Sequence, residues 1–175
     1  RRRIFFAVFF IIMTTPPPDG WHRGPEASGP ARADFNDGVV ALMSGNYDTA
    51  LATFVPLAET SDHAYAQYFL GRMYAVGQGV EQNLETAAGW YRKAADQGNA
   101  TAQFNLGSKY FVGQGVLQNY PEAHKWKNLA TSRTSVENQE LYGEARDQIA
   151  MLMTPVQLEE AQRLARDWLV VFEEQ

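Results

Sequence analysis

Between Ala64 and Ala130 the sequence repeats itself, without a gap, at a spacing of 36 residues. Leu70 recurs as Leu106, Gly71 as Gly107, Tyr74 as Tyr110, Gly77 as Gly113, Gly79 as Gly115, Val80 as Val116, Asn83 as Asn119, Ala87 as Ala123 and Trp90 as Trp126. A period of this length marks stacked helical hairpins, each of which needs its neighbour to bury an apolar face. It predicts an all-α solenoid that acts through a repeat surface, and it leaves open what that surface binds.

Helical spacing places the elements. Phe35, Val39 and Leu42 recur on one side of a helix predicted from Asp34 to Ser44. The regular first helices are predicted over His63 to Val76 and Asn99 to Val112, with Ala66, Leu70, Met73 and Tyr74 on one side and Gly71 beside them. Glycine inside a helix costs roughly 1 kcal/mol relative to Ala, so its recurrence at Gly107 implies close approach of a paired helix. The Gly-Gln-Gly-Val turns come next, with Val80 and Val116 expected to plug them into the core. The second helices are predicted over Leu84 to Gln97 and Tyr120 to Thr131, each with one Trp, Trp90 or Trp126, as a large anchor between alanines.

Asn46, Asn83 and Asn119 are each placed to cap a second helix, and Glu122 stands at a capping-box position. The Asn46 segment thus reveals a third, degenerate copy over residues 34–61, four residues shorter between its helices, as expected of an N-terminal cap. The regular repeats occupy 62–98 and 99–134. Beyond Ser132 the period fails. Helices predicted over Val136 to Met153, through Leu141, Ala145, Ile149 and Leu152, and from Thr154-Pro155-Val156-Gln157 to Phe172 form a C-terminal cap over 136–173.

Charge and composition narrow the function classes. Five Arg fall in the first 33 residues against Asp19 and Glu26, leaving ten basic and eighteen acidic residues in the remainder, a balance that argues against a nucleic-acid partner. Cysteine is absent, which excludes disulfides, thiolate metal sites and a cysteine nucleophile. Arg1 to Arg3, the apolar run from Ile4 to Met13 and the Pro- and Gly-rich stretch to Pro30 have the layout of a secretory leader over 1–33, too short for a membrane span. The first Ala-x-Ala triplet, Ala31-Arg32-Ala33, lies well downstream of that run. Export to the periplasm or beyond is the expected localisation.

Catalytic signatures are missing. The Gly77-Gln78-Gly79 and Gly113-Gln114-Gly115 turns complete neither a dinucleotide fingerprint nor a P-loop, and their recurrence at the repeat period makes them structural. His22, His63 and His124 lack metal-ligand spacing, and His124 is expected on the surface or at a hairpin edge. Neither a Gly-x-Ser-x-Gly nor a Ser-x-x-Lys motif occurs. Glu122, Glu137, Glu140, Glu144, Asp147, Glu159 and Glu160 read as a solvated face. No catalytic residue, metal site or cofactor is expected.

The pattern Ala-x-x-x-Leu-Gly-x-x-Tyr-x-x-Gly-x-Gly-Val, followed by Asn, Ala and Trp and ending Ala-Ala-x-x-Gly-Asn-Ala, resembles the Sel-one-like repeat, a relative of the tetratricopeptide repeat. Met153 to Trp168 is similar to the C-terminal extension of small exported bacterial members. The resemblance implies a right-handed superhelix of antiparallel helix pairs whose surface binds other proteins, with the first helices lining its concave side. On that side Tyr65, Tyr68, Phe69 and Arg72 would face the partner from one copy and Thr101, Phe104, Asn105 and Ser108 from the next. Tyr68 and Phe104 are equally placed to pack between copies. Tyr65, Phe69, Arg72, Thr101, Asn105 and Ser108 are therefore the candidate binding residues for a protein or peptide. The expected function is a monomeric, non-catalytic scaffold or adaptor of the bacterial envelope. The alternatives are a cell-wall-binding protein or envelope hydrolase with its site in the concave groove, and self-association through an exposed end.

Overall fold

The structure, a computed structural model, describes residues 34–174; the leader read over 1–33 lies outside the described residues. The described residues form eight helices and no strand: α1 (Phe35–Met43), α2 (Tyr47–Thr60), α3 (Ala64–Val76), α4 (Leu84–Asp96), α5 (Ala100–Val112), α6 (Tyr120–Arg133), α7 (Val136–Ala150) and α8 (Pro155–Glu173). Helices α1 and α2, α3 and α4, and α5 and α6 pair as hairpins, α2 packs on α3 and α4 on α5, and both α7 and α8 pack on α6. This is a solenoid of helix hairpins closed by two further helices.

The caps obey the sequence. The Oδ1 atoms of Asn46, Asn83 and Asn119 accept hydrogen bonds from the backbone N–H groups of Thr49, Thr86 and Glu122 at 3.3, 2.9 and 3.0 Å. His63 Nδ1 and Asn99 Oδ1 accept from Ala66 and Ala102 at 3.2 and 2.8 Å, satisfying N–H groups that a first turn leaves without intrahelical partners. Thr154 and Gln157 close the capping box of α8, with Pro155 in its first turn. Glu122 closes no such box. Its carboxylate instead accepts from Trp126 Nε1 at 2.9 Å and pairs with Lys125 Nζ at 2.9 Å, because both partners lie on its own helix face one turn on.

Two glycines in each turn have separate tasks. Gly77 and Gly113 end α3 and α5 in the left-handed region, at φ 75° and 72°, where a side chain would be strained. Gly79 and Gly115 instead lie against the preceding hairpin: a Cβ at Gly79 would stand 2.5 Å from Tyr47 Cβ at the start of α2, and one at Gly115 would overlap the Leu84 carbonyl at the start of α4. Val80 and Val116 are only half-buried, so close backbone approach rather than a valine plug seats the turn.

The core holds Phe54, Leu70, Met73, Leu106, Trp126 and Leu129, all fully buried. Within it Gln67 and Gln103, both at 0% exposure, donate from Nε2 to the Ala58 and Ala95 carbonyls of the preceding second helices, at 3.2 and 3.0 Å. Each hairpin is thereby tied to the one before it by a side chain that can satisfy a helix-end carbonyl.

Three sequence expectations fail locally. Trp90 is half-exposed with Lys93 Nζ 4.2 Å over its ring, and it is Tyr91, 4% exposed, that packs on Gly71. His124 is buried rather than at an edge, held neutral by the cost of desolvating its charged form, and its Nδ1 has no hydrogen-bond partner among the described residues. Helix α7 stops at Ala150, which leaves Leu152 exposed beyond it.

Candidate functional site

Helices α3 and α5 present the candidate residues. Tyr65 is 42% exposed, and its ring lies near those of Phe35 and His63, at centroid distances of 6.3 Å to each. Arg72 is half-buried, and its charge is felt at the hydroxyls of Tyr68 and Tyr91, where it opposes the upward push that burial gives their pKa values. No carboxylate pairs with Arg72 among the described residues, whereas Arg146 and Arg163 both bind carboxylates and Arg92 and Arg133 lie over aromatic rings.

On α5, Thr101, Asn105 and Ser108 are all half-buried. Asn105 Nδ2 donates to the Thr101 carbonyl at 3.0 Å, and Ser108 Oγ donates to the Phe104 carbonyl at 3.1 Å while accepting from Lys127 Nζ at 2.6 Å. The bonds to the Thr101 and Phe104 carbonyls hold two short polar side chains against their own helix, so these groups offer a partner fixed rather than searching dipoles.

Phe69 does not belong to this surface. It is buried, stacked on Phe54 at 5.2 Å and 7° and 5.8 Å from Phe35, so it joins the first hairpin to the second. Tyr68 and Phe104 are buried as well: Tyr68 lies 6.0 Å from Tyr91, and Phe104 stacks on Tyr142 of α7 at 4.0 Å. Aromatic residues one turn apart on a repeat helix reach the neighbouring hairpin before they reach solvent, which separates Tyr65 from Phe69.

Glu137, Glu140, Glu144, Asp147 and Glu159 are exposed, and among the described residues no three His, Asp or Glu side chains converge as a metal site. A surface depression of 330 Å³ lined by Gln118, Asn119, Tyr120, Pro121 and Gln157 contains none of the candidate residues. No helix among the described residues is long and apolar enough to cross a membrane.

Lysine 127 is the group that the sequence pattern did not single out. It takes the position held by Tyr91 in the preceding copy, and its exposure is 4%. The one signal available was its place: a lysine where the earlier copy has an aromatic ring.

The family model of the Sel1 repeat matches residues 64–99 and 100–133. The fold is similar to that of a protective antigen present in uropathogenic Escherichia coli strains and displaying an SLR fold, with a TM-score of 0.66 and 29% identity over 77% of this chain and 29% of that one. It is also similar to a Sel1 repeat protein from Oxalobacter formigenes, with a TM-score of 0.56 and 35% identity over 63% of this chain and 45% of that one. The chain thus spans less than half the length of either structure. No curated protein matches it. Sel1 repeats generally serve as protein-interaction scaffolds without catalytic activity. With its two matched copies, its hairpin stack and these neighbours, the chain carries two Sel1 repeats within a solenoid similar to the SLR fold.

Proposed function

We propose that this chain is a non-catalytic adaptor of the bacterial envelope that holds a protein or peptide segment along α3 and α5. The observation that carries this reading is Arg72, a half-buried cation without a carboxylate partner among the described residues, on the same helix as the exposed ring of Tyr65. Aromatic rings and arginine are enriched at binding hot spots, and an unpaired, partly desolvated guanidinium gains more from an incoming acceptor than a fully solvated one does. Thr101, Asn105 and Ser108 supply neutral polar groups from the next copy. The basic start and apolar run of the leader support an envelope location, as does the likeness to a protein described as a protective antigen.

The test is affinity capture from a bacterial envelope extract with the whole chain, run beside an Arg72→Glu, Asn105→Ala double variant. A protein held by the wild type and lost by the variant, with helical content unchanged by circular dichroism, is the expected result. Equal retention by both forms overturns the assignment of this surface. Activity on cell-wall fragments that the same double variant abolishes would replace the adaptor reading with an enzymatic one.

A further inference from the structure

The junction between α2 and α3 differs from the equivalent junction between α4 and α5 at two consecutive residues. Where the later junction has Gly98 and Asn99, the earlier one has Asp62 and His63. Gly98 and Asp62 both take the left-handed backbone, at φ 82° and 48°, and Asp62 alone does so without being glycine among the described residues. Asn99 and His63 both cap the helix that follows: Asn99 Oδ1 accepts from the Ala102 N–H at 2.8 Å, and His63 Nδ1 accepts from the Ala66 N–H at 3.2 Å. The place of the cap is kept while its chemistry changes. An amide oxygen accepts at any pH, whereas an imidazole nitrogen accepts only while it carries no proton.

His63 also stands where the first hairpin meets the repeats. Its half-buried ring stacks on Phe35 of α1 at 4.7 Å and 25°, and its own N–H donates to the Leu57 carbonyl of α2 at 3.1 Å. From α3 the Tyr65 ring lies 6.3 Å away. Among the described residues Asp34, at the start of α1, is the charged group whose field is felt at the ring; Asp62 gives its carboxylate to Gln67 Nε2 at 2.6 Å, and Glu59 of α2 is exposed to solvent. Taking the ring out of water disfavours the imidazolium more than Asp34 favours it, which holds His63 below the ordinary histidine pKa.

We propose that His63 is a proton-sensitive latch that holds the first hairpin to the repeats and loosens it under mildly acidic conditions. Once Nδ1 takes up a proton, the Ala66 N–H loses its acceptor and faces another donor. The first turn of α3 then carries a positive charge at the end where the helix dipole is also positive. The folded junction binds that proton less readily than the unfolded chain. Its stability is therefore full above the unfolded value of about 6.5 and is lost as the pH falls from there to the lower folded value. The later junction, with Gly98 and Asn99, has nothing to titrate at these positions. Loosening the latch uncovers an aromatic seam, because Phe35 and Phe54 of the first hairpin pack on Phe69 of α3 at 5.8 and 5.2 Å.

His63→Asn supplies the cap that α5 uses and removes the titration. Hydrogen–deuterium exchange with mass spectrometry on the whole protein compares this variant with the wild type near neutral pH and again near pH 5. Intrinsic exchange rates and the titration of buried His124 are common to both forms and cancel at each pH. Near neutral pH the two should exchange alike. In acid the wild type should exchange about fivefold faster across α1, α2 and the first turn of α3, as the loss of one cap implies, while α5 and α6 stay matched. His63→Ala, capless at either pH, should already exchange faster near neutral pH. A wild-type to His63→Asn ratio that is the same at both pH values overturns the latch. So does an acid-induced difference spread evenly over α5 and α6, or a His63→Ala that exchanges like His63→Asn near neutral pH.

Discussion

Residues 64–99 and 100–133 share the Asn caps of their second helices, their turn glycines and their buried glutamines, yet they are filled differently. In the first copy Tyr91 packs on Gly71 and Trp90 is half-exposed; in the second Lys127 packs on Gly107 and Trp126 is fully buried. In the first, Gln97 Nε2 donates to Gln67 Oε1 at 2.8 Å. In the second, Arg133 occupies the place of Gln97 and leans on the Trp168 and Phe172 rings at 4.9 and 4.7 Å, leaving Gln103 Oε1 without a partner among the described residues. The difference comes from the neighbour on the C-terminal side of each copy. The first is succeeded by another repeat, whereas α7 and α8 close the second, bringing Tyr142 onto Phe104 and Trp168 to 6.0 Å from Trp126. A repeat position therefore inherits its backbone from the period and its burial from its neighbour.

The tryptophans test this most sharply. Trp126→Ala should cost about 3–5 kcal/mol in urea unfolding, since it removes a buried ring and leaves Arg92, 4.9 Å over it, without its platform. Trp90→Ala should cost less, about 2 kcal/mol, because that ring is only partly covered. Equal losses would break the contrast between the copies.

Lys127→Met should stabilise the fold near neutral pH by about 1–2 kcal/mol, because it removes an amine that must shed its proton or stay charged without a partner. The gain should shrink as pH rises. The folded amine has the lower pKa, so the unfolded chain binds the proton more readily between the folded value and about 10.4, and wild-type stability climbs through that window. Comparing wild type with the variant at each pH cancels the contributions of Tyr68, Tyr91 and Tyr142, whose raised pKa values act at the alkaline end. A difference that is constant with pH would show that Lys127 is charged in the folded state.

The smallest effect separates the glutamine from the arginine. Gln97→Arg should cost about 1 kcal/mol through the lost bond to Gln67. Arg133→Gln should be close to neutral, since a new bond to Gln103 offsets the lost ring contacts. The same urea midpoints measure both.

Much of the architecture was legible because it rests on local rules. An Asn before an apolar run, a Pro in a first turn and a glycine after a last turn act through their own few residues, and the helix bounds matched within a residue or two for the repeats. What escaped depends on contacts distant in sequence. Nothing near Trp90 distinguishes it from Trp126; the distinction lies in α8. Glu122 read as a capping residue because the motif is local, while the Trp126 N–H that claims it is visible only once that ring is turned inward. For the candidate surface, periodicity placed Tyr65, Arg72, Thr101, Asn105 and Ser108 on accessible positions but could not tell Tyr65 from Phe69, because the burial of Phe69 is set by Phe54 and Phe35 in the hairpin before.

The turn glycines Gly79 and Gly115 bear on how such a chain can grow or shrink. Each abuts the opening residues of a helix in the preceding hairpin, Tyr47 for Gly79 and Leu84 for Gly115, while a Cβ at Gly45, in the shorter turn of the first copy, would meet open space. The transferable cassette is thus not the visible hairpin. It runs from the opening of one second helix to the turn that closes over it, straddling two hairpins. A duplication or excision of one full period preserves every such pairing wherever its ends fall, whereas the exchange of a lone hairpin between unlike proteins leaves a glycine facing a helix start it was never fitted to.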